Sequence, residues 1–206
     1  MQLAPLLAAL RDAAGLRRVI VDTYQSVSGT GTPAVEELER QVRDIVAGRP
    51  VDVSVYPHQI AFNVLPEIDA FMDNGYTREE WKVVTETRKI LHLPDLAVSC
   101  TAVRVPVLVS HSEAVHVATE RPITADEARS LFAGIAGVEV IDEPAEHRYP
   151  LAIDAAGSDQ IYVGRVHADA SLADGLGLAF WVVSDNRRKG AATNAVEIAE
   201  LLISDN

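Results

Sequence analysis

Apolar residues fall at helical spacing near the start of the chain, at Leu3, Leu6, Leu7 and Leu10, and the pattern stops at Gly15. This predicts an amphipathic helix over residues 1–14. Residues 17–26 are rich in Val, Ile, Thr and Tyr and read as a strand. Gly29 to Pro33 has loop chemistry, with Thr32 placed to cap and Pro33 to open a helix running to about Ala47. On that helix Val35, Leu38, Val42, Ile45 and Val46 form one apolar stripe. Periodicity is then lost over residues 48–66, a proline-punctuated stretch that reads as a loop excursion serving a function or a partner. Thr77-Arg78-Glu79-Glu80 is a capping box that opens a helix to about Leu91.

Two strands follow, over residues 96–109 and 114–118, with Ser110, His111 and Ser112 as the turn between them. A helix over 124–133 carries Asp126 and Glu127 in its first turn, where acids complement the dipole. Strands are expected over 138–141, 161–167 and 178–184, and a closing helix over 189–203. Strands mixed with helices, without regular βαβ alternation, predict an α+β fold whose mixed, largely antiparallel sheet has flanking helices.

With 206 residues, the chain can bury a proper core. Eighteen basic against thirty acidic residues give a net charge of -12, and the one basic cluster is Arg187-Arg188-Lys189. Nucleic acid and anionic membrane surfaces are therefore not expected partners. A single cysteine, Cys100, excludes an intrachain disulfide and a cysteine-based metal site. His58, His92, His116, His147 and His167 lack metal-ligand spacing, so no metal is expected. No apolar run approaches the ~20 residues of a membrane span, and the first helix lacks the basic leader of a signal peptide. The expected location is the cytoplasm.

The most suggestive chemistry is Arg104-Val105-Pro106-Val107-Leu108-Val109-Ser110-His111. A permanent cation able to fork onto a carboxylate or phosphate and a tunable base stand at the two ends of an apolar run. On one straight strand, however, an odd separation points them to opposite faces, and ~3.3 Å per residue puts them over about 20 Å apart. They can serve one substrate only if the chain bends, at Pro106 or at Ser110 to Ser112; otherwise they are a solvated Arg and a turn His. Glu79 and Lys82 share one side of a helix, which also suits a surface ion pair. Gln25 ends a hydrophobic strand just before a glycine loop, where ligand-binding groups project. Gly29-Thr30-Gly31-Thr32 lacks the spacing and the Lys of a phosphate loop and reads as a flexible turn. Cys100 sits among apolar neighbours and reads as structural.

Taken in order, five blocks resemble the aspartate-β-semialdehyde dehydrogenase family, across essentially the whole chain. They are Tyr24-Gln25-Ser26-Val27-Ser28-Gly29; Phe62-Asn63-Val64-Leu65-Pro66; Glu79-Glu80-Trp81-Lys82 with Glu86-Thr87-Arg88-Lys89-Ile90-Leu91; Val103-Arg104-Val105-Pro106-Val107 with His111-Ser112; and Ser184-Asp185-Asn186-Arg187-Arg188-Lys189-Gly190-Ala191-Ala192-Thr193-Asn194-Ala195. The resemblance is to the C-terminal catalytic and dimerisation part. It implies that the family's NADP-binding domain and nucleophilic Cys lie upstream of Met1, the Cys at the start of the first helix, where dipole and free amides stabilise a thiolate.

The same resemblance implies the mixed sheet of glyceraldehyde-3-phosphate-dehydrogenase-like C-terminal domains. Residues 1–186 would be the substrate-binding and dimerisation unit, and 187–206 a closing helix for the nucleotide-binding domain. It implies NADP-dependent reductive dephosphorylation of aspartyl phosphate, a step toward lysine, threonine and methionine. His111 would be the general acid/base and Gln25 would orient the intermediate. Arg104 would bind the substrate α-carboxylate, Glu79 its amino end and Lys82 its phosphate. Asn186 and Asn194 would lie near the nicotinamide. A homodimer through the sheet is implied, and this chain alone is expected to be inactive, with no cofactor bound. Two alternatives stay open: a non-catalytic dimerisation module, and a related acyl-phosphate reductase such as N-acetyl-γ-glutamyl-phosphate reductase, against which Glu79 facing Lys82 argues.

Overall fold

The computed structural model describes residues 2–204. Six strands form one mixed sheet: β1 (Arg18–Gln25), β2 (Ala97–Arg104), β3 (His111–Ala118), β4 (Val138–Val140), β5 (Ile161–Ala168) and β6 (Gly177–Ser184). Their order is β2-β1-β3-β6-β5-β4. The β1–β2 and β4–β5 pairs are parallel; β1–β3, β3–β6 and β5–β6 are antiparallel. The helices are α1 (Leu3–Ala14), α2 (Thr32–Val46), α3 (Arg78–Ile90), α4 (Ala125–Ala133), a one-turn α5 (Ala152–Ala155) and α6 (Thr193–Ser204).

Strand alternation sorts the sheet into a covered and an open face. Val19 and Val21 of β1, Val115 and Val117 of β3, and Phe180 and Val182 of β6 meet the leucines of α1, Val84 of α3 and Phe132 of α4 in one core. On the other face Tyr24 and Trp181 touch at a tilt of 47°, with ring centroids 5.4 Å apart. A second, smaller core joins Ala34 and Leu38 of α2 to Val27, Ile60, Ala61 and Leu65.

Three expectations need correction. Thr32 is not a cap: Gly31 occupies that position and Thr32 is already helical, with no side-chain cap bond. The buried face of α2 is not a plain apolar stripe either, since Val46 is 79% exposed while Glu37 and Gln41 are fully buried. These two side chains hold the middle of the 48–66 excursion, whose backbone meets a strand only where Leu65 bridges Arg104 at the end of β2. Glu37 Oε2 accepts from Ser54 N at 3.1 Å and from Val55 N at 2.5 Å. Gln41 Oε1 accepts from the amides of Ile60 and Ala61, both at 3.0 Å. Lastly, β2 ends at Arg104 rather than continuing to residue 109, and β3 begins at His111 rather than at 114. Between them the chain is irregular, and Ser110 takes a left-handed φ of 78°.

Candidate functional site

The site is built at one end of β1. Gln25 closes that strand and is paired in register with Arg104, the last residue of the parallel β2. On its other flank Tyr24 pairs with Ser112, so His111 stands beside the same strand end. Arg104 and His111 are thus the facing ends of two strands that sandwich a third, and the break at 105–110 lets both side chains take the covered face. Both grip Ser26. Arg104 Nη1 donates to the Ser26 carbonyl at 2.7 Å, and the Ser26 amide donates to His111 Nδ1 at 3.0 Å.

Arg104 is only 5% exposed. Among the described residues no carboxylate lies within ion-pair distance of it, and its Nε is buried without a partner. The Tyr56 ring lies 6.0 Å from the guanidinium carbon. Burial lowers the guanidinium pKa, partly opposed by Tyr56 and Glu79, yet an Arg stays charged in any protein setting. A buried cation without a counter-ion is costly unless an anion joins it.

Glu79 and Lys82 come from the first turns of α3. Thr77 and Glu80 form the expected capping box, with Glu80 Oε2 accepting the Thr77 amide at 2.7 Å. Glu80 Oε1 also accepts from Ala102 N at 2.9 Å, fastening that helix start to β2. Gln25 Nε2 donates to Glu79 Oε1 at 3.2 Å, and Lys82 Nζ lies 3.7 Å from Glu79 Oε2.

The segment after β6 closes the site. Ser184 Oγ donates to Gln2 Oε1, and Gln2 Nε2 donates to the His111 carbonyl at 3.3 Å, which brings the start of α1 to the pocket. Asp185 is fully buried and accepts from the amides of Gly157, Arg187 and Arg188. That turn presents Asn186, whose Oδ1 accepts from Ser26 Oγ at 3.2 Å, Ser28 Oγ at 3.1 Å and Ser110 N at 3.0 Å. Burial, with Arg104 nearby, pulls the His111 pKa down to about 4.

Gln25, Glu79, Lys82, Arg104, His111 and Asn186 line one cavity of about 530 Å³. Asn194, half-buried on α6, is not among its lining residues, though Gly190, four positions earlier, is. Cys100 is 4% exposed in the core, and burial, then Glu80, push its thiol pKa up. Other lining residues, Gln2, Thr23, Asp69 and Glu113 among them, were not singled out for chemistry from sequence. Glu113 faces the covered side opposite Thr23. Its Oε2 is buried without a partner among the described residues, and burial raises its pKa. Among those residues, no group of three His, Cys, Asp or Glu could hold a metal.

A larger cavity, about 650 Å³, opens on the opposite sheet face, lined by Trp181, Tyr149, Leu151 and His167 among others, and shares no residue with the first. It is mostly apolar and lacks the converging polar groups of the smaller one. No described helix is long and apolar enough to cross a membrane.

A family described as semialdehyde dehydrogenase, dimerisation domain, matches residues 7–189. A Legionella pneumophila protein named aspartate-semialdehyde dehydrogenase is 55% identical over 203 residues, covering 98% of this chain and 58% of that protein. One of the same name from Aquifex aeolicus is 47% identical over 206 residues, covering 100% of this chain and 60% of its own length. The chain thus spans about 60% of the relatives it matches. The crystal structure of aspartate semialdehyde dehydrogenase II from Vibrio cholerae, complexed with ASA, superposes with a TM-score of 0.94 at 46% identity, over 99% of this chain and 60% of that one. A Candida albicans enzyme crystallised with NADP shares the fold, with a TM-score of 0.70 at 21% identity, over 98% of this chain and 54% of its own.

Proposed function

The chain belongs to the semialdehyde dehydrogenase family, and on that premise we propose that it is the substrate-binding and dimerisation part of an NADP-dependent aspartate-semialdehyde dehydrogenase. The observation that carries this is Arg104: a buried guanidinium, without a carboxylate partner, beside Gln25 and His111 in one pocket. An anionic substrate supplies the missing charge. The Arg104 fork takes the α-carboxylate of aspartyl phosphate or aspartate semialdehyde. Glu79 takes the ammonium group of the same substrate, a group that N-acetylated substrates lack. Lys82, at the open rim, takes the phosphate.

The nucleophile of the whole protein would be a cysteine thiolate outside this chain, carried just ahead of α1, where a helix N-terminus favours an anion. Gln25 orients the acyl group, and His111 serves as acid/base to the oxygen on the reacting carbon. NADPH, when bound, supplies the hydride. Asn186 fits the nicotinamide end, because its Nδ2 makes no hydrogen bond among the described residues and it lines the pocket. We assign Asn194 no role at the pocket. The open sheet face, with Tyr24, Trp181 and the apolar cavity, is the self-association surface. Residues 187–206 close against the nucleotide-binding part: Val196, Ile198 and Leu201 on α6 are 57%, 51% and 66% exposed. As a biosynthetic enzyme, the whole protein would work in the cytoplasm.

The test is a chimaera in which this chain replaces the matching segment of the Legionella pneumophila relative. It should reduce NADP in the presence of aspartate semialdehyde and phosphate, while the chain alone should not. A folded chimaera that ignores aspartate semialdehyde would sink the reading.

A further inference from the structure

His111 sits among donors on its Nδ1 side. The backbone amide of Ser26 points at Nδ1 from 3.0 Å, and an amide can only donate. The Ser26 hydroxyl is 3.1 Å from the same nitrogen and 3.2 Å from Asn186 Oδ1. Oδ1 also collects Ser28 Oγ and the Ser110 amide, which is the residue just before His111. A single carbonyl oxygen therefore ties together the segment that carries the donor, the segment that carries the imidazole and the turn after β6.

We propose that Asn186 is a positioning residue for His111, holding it as the neutral tautomer with its proton on Nε2. The argument is a count of hydrogens. Because the Ser26 amide occupies Nδ1, a neutral ring must carry its proton on Nε2. Pinning Ser26 and Ser110 together fixes the spacing that the amide-to-ring bond needs. The Nε2 edge faces the pocket, 3.3 Å from where a Cβ on Gly29 would be. A second proton on Nδ1 would face the Ser26 amide in a buried site with Arg104 close by, which agrees with the depressed pKa of the ring.

The consequence deepens the proposed reaction, and rests on it only for the substrate. In the reductive direction His111 meets the oxygen that gains negative charge as an Nε2–H donor, the acid half of its acid/base role. Asn186 acts through Ser26 and Ser110, in addition to facing any cofactor.

The decisive measurement is the imidazole nitrogen spectrum of the 15N-labelled 206-residue chain near neutral pH, with His111 assigned by its loss in His111→Gln. The expected spectrum has an unprotonated Nδ1 and a protonated Nε2. In Asn186→Ala the two nitrogens should shift toward each other as both tautomers become populated. Asn186→Asp keeps the acceptor and should restore the single tautomer. A wild-type ring protonated on Nδ1 overturns the proposal, as does a folded Asn186→Ala with an unchanged spectrum. If Asn186→Ala does not fold, the wild-type spectrum and Asn186→Asp still decide: mixed tautomers in the latter overturn it. None of these readouts needs turnover, so they stand apart from the activity of the chimaera.

Discussion

Gly29 lies so close to Arg104 that a Cβ added to it would stand 3.1 Å from Nη1. The glycine is there for space: its missing side chain lets the loop after β1 cover the guanidinium and the His111 ring together. Gly29→Ala should push Arg104 aside by a few tenths of an ångström. In the chimaera this should raise KM for aspartate semialdehyde more than it lowers kcat. An unchanged KM would show that Arg104 does not set substrate affinity.

Arg104→Lys keeps the charge but loses the fork and the hydrogen bond to the Ser26 carbonyl. Substrate binding by the chimaera should weaken by roughly 1.5–3 kcal/mol, about ten- to a hundredfold. Calorimetric titration with the substrate checks it, and equal affinity for both proteins would remove Arg104 from the carboxylate site.

His111 gives the chain a defined acid sensitivity. Its folded pKa, about 4, lies below the unfolded value of about 6.5. The unfolded chain therefore binds the extra proton first as pH drops. This contribution is intact above about pH 6.5 and is lost progressively toward pH 4, at most roughly 3 kcal/mol. Urea midpoints across that window should fall more steeply for the wild type than for His111→Gln. Parallel curves would mean that the ring is not neutral in the fold.

Glu113 has the opposite sign. Burial raises its folded pKa, so its carboxylate costs stability as pH climbs above the unfolded value of about 4.3. Glu113→Gln should melt higher than the wild type at neutral pH and converge with it in acid. A lower melting temperature at neutral pH would reveal a partner that makes the charge worth keeping.

Gln41→Ala would strip two buried amides, those of Ile60 and Ala61, of their acceptor. The expected loss is roughly 2–5 kcal/mol, with residues 48–66 becoming the first site of limited proteolysis. Cleavage elsewhere first would mean that the excursion is held by other contacts.

Tyr24→Lys places a charge on the open sheet face beside Trp181, where the wild-type ring is 38% exposed. Sedimentation should show weakened self-association with the fold intact. An undisturbed dimer would move the interface to another surface.

Local chemistry was readable where one short segment decides the outcome. Thr77 with Glu80 signalled a helix start that carries a reciprocal cap; Thr124 with Glu127 forms the same box, although from sequence Glu127 was read only as a first-turn acid. The beginning of β3 was hidden because His111, Ser112 and Glu113 have turn-like polarity; in the fold, His111 and Glu113 are polar because they line a pocket. Glu37 and Gln41 escaped notice for a related reason: a helical period marks a face, but not whether that face must supply acceptors to a loop without strands. The meeting of Arg104 and His111 depended on strand order. A seven-residue spacing carries no record that β1 inserts between them.

The grip on Ser26 has a kinetic side. Its partners lie 78, 85 and 160 positions away along the chain. Contacts so remote in sequence form only after their loop-closure entropy has been overcome, so the pocket assembles late, when β1, β2, β3 and the turn after β6 have all docked. A half-folded chain has helices but nothing to offer a substrate. Any anion that settles between Arg104 and His111 therefore acts as a brace on the finished sheet, slowing its unfolding from four points of the chain at once.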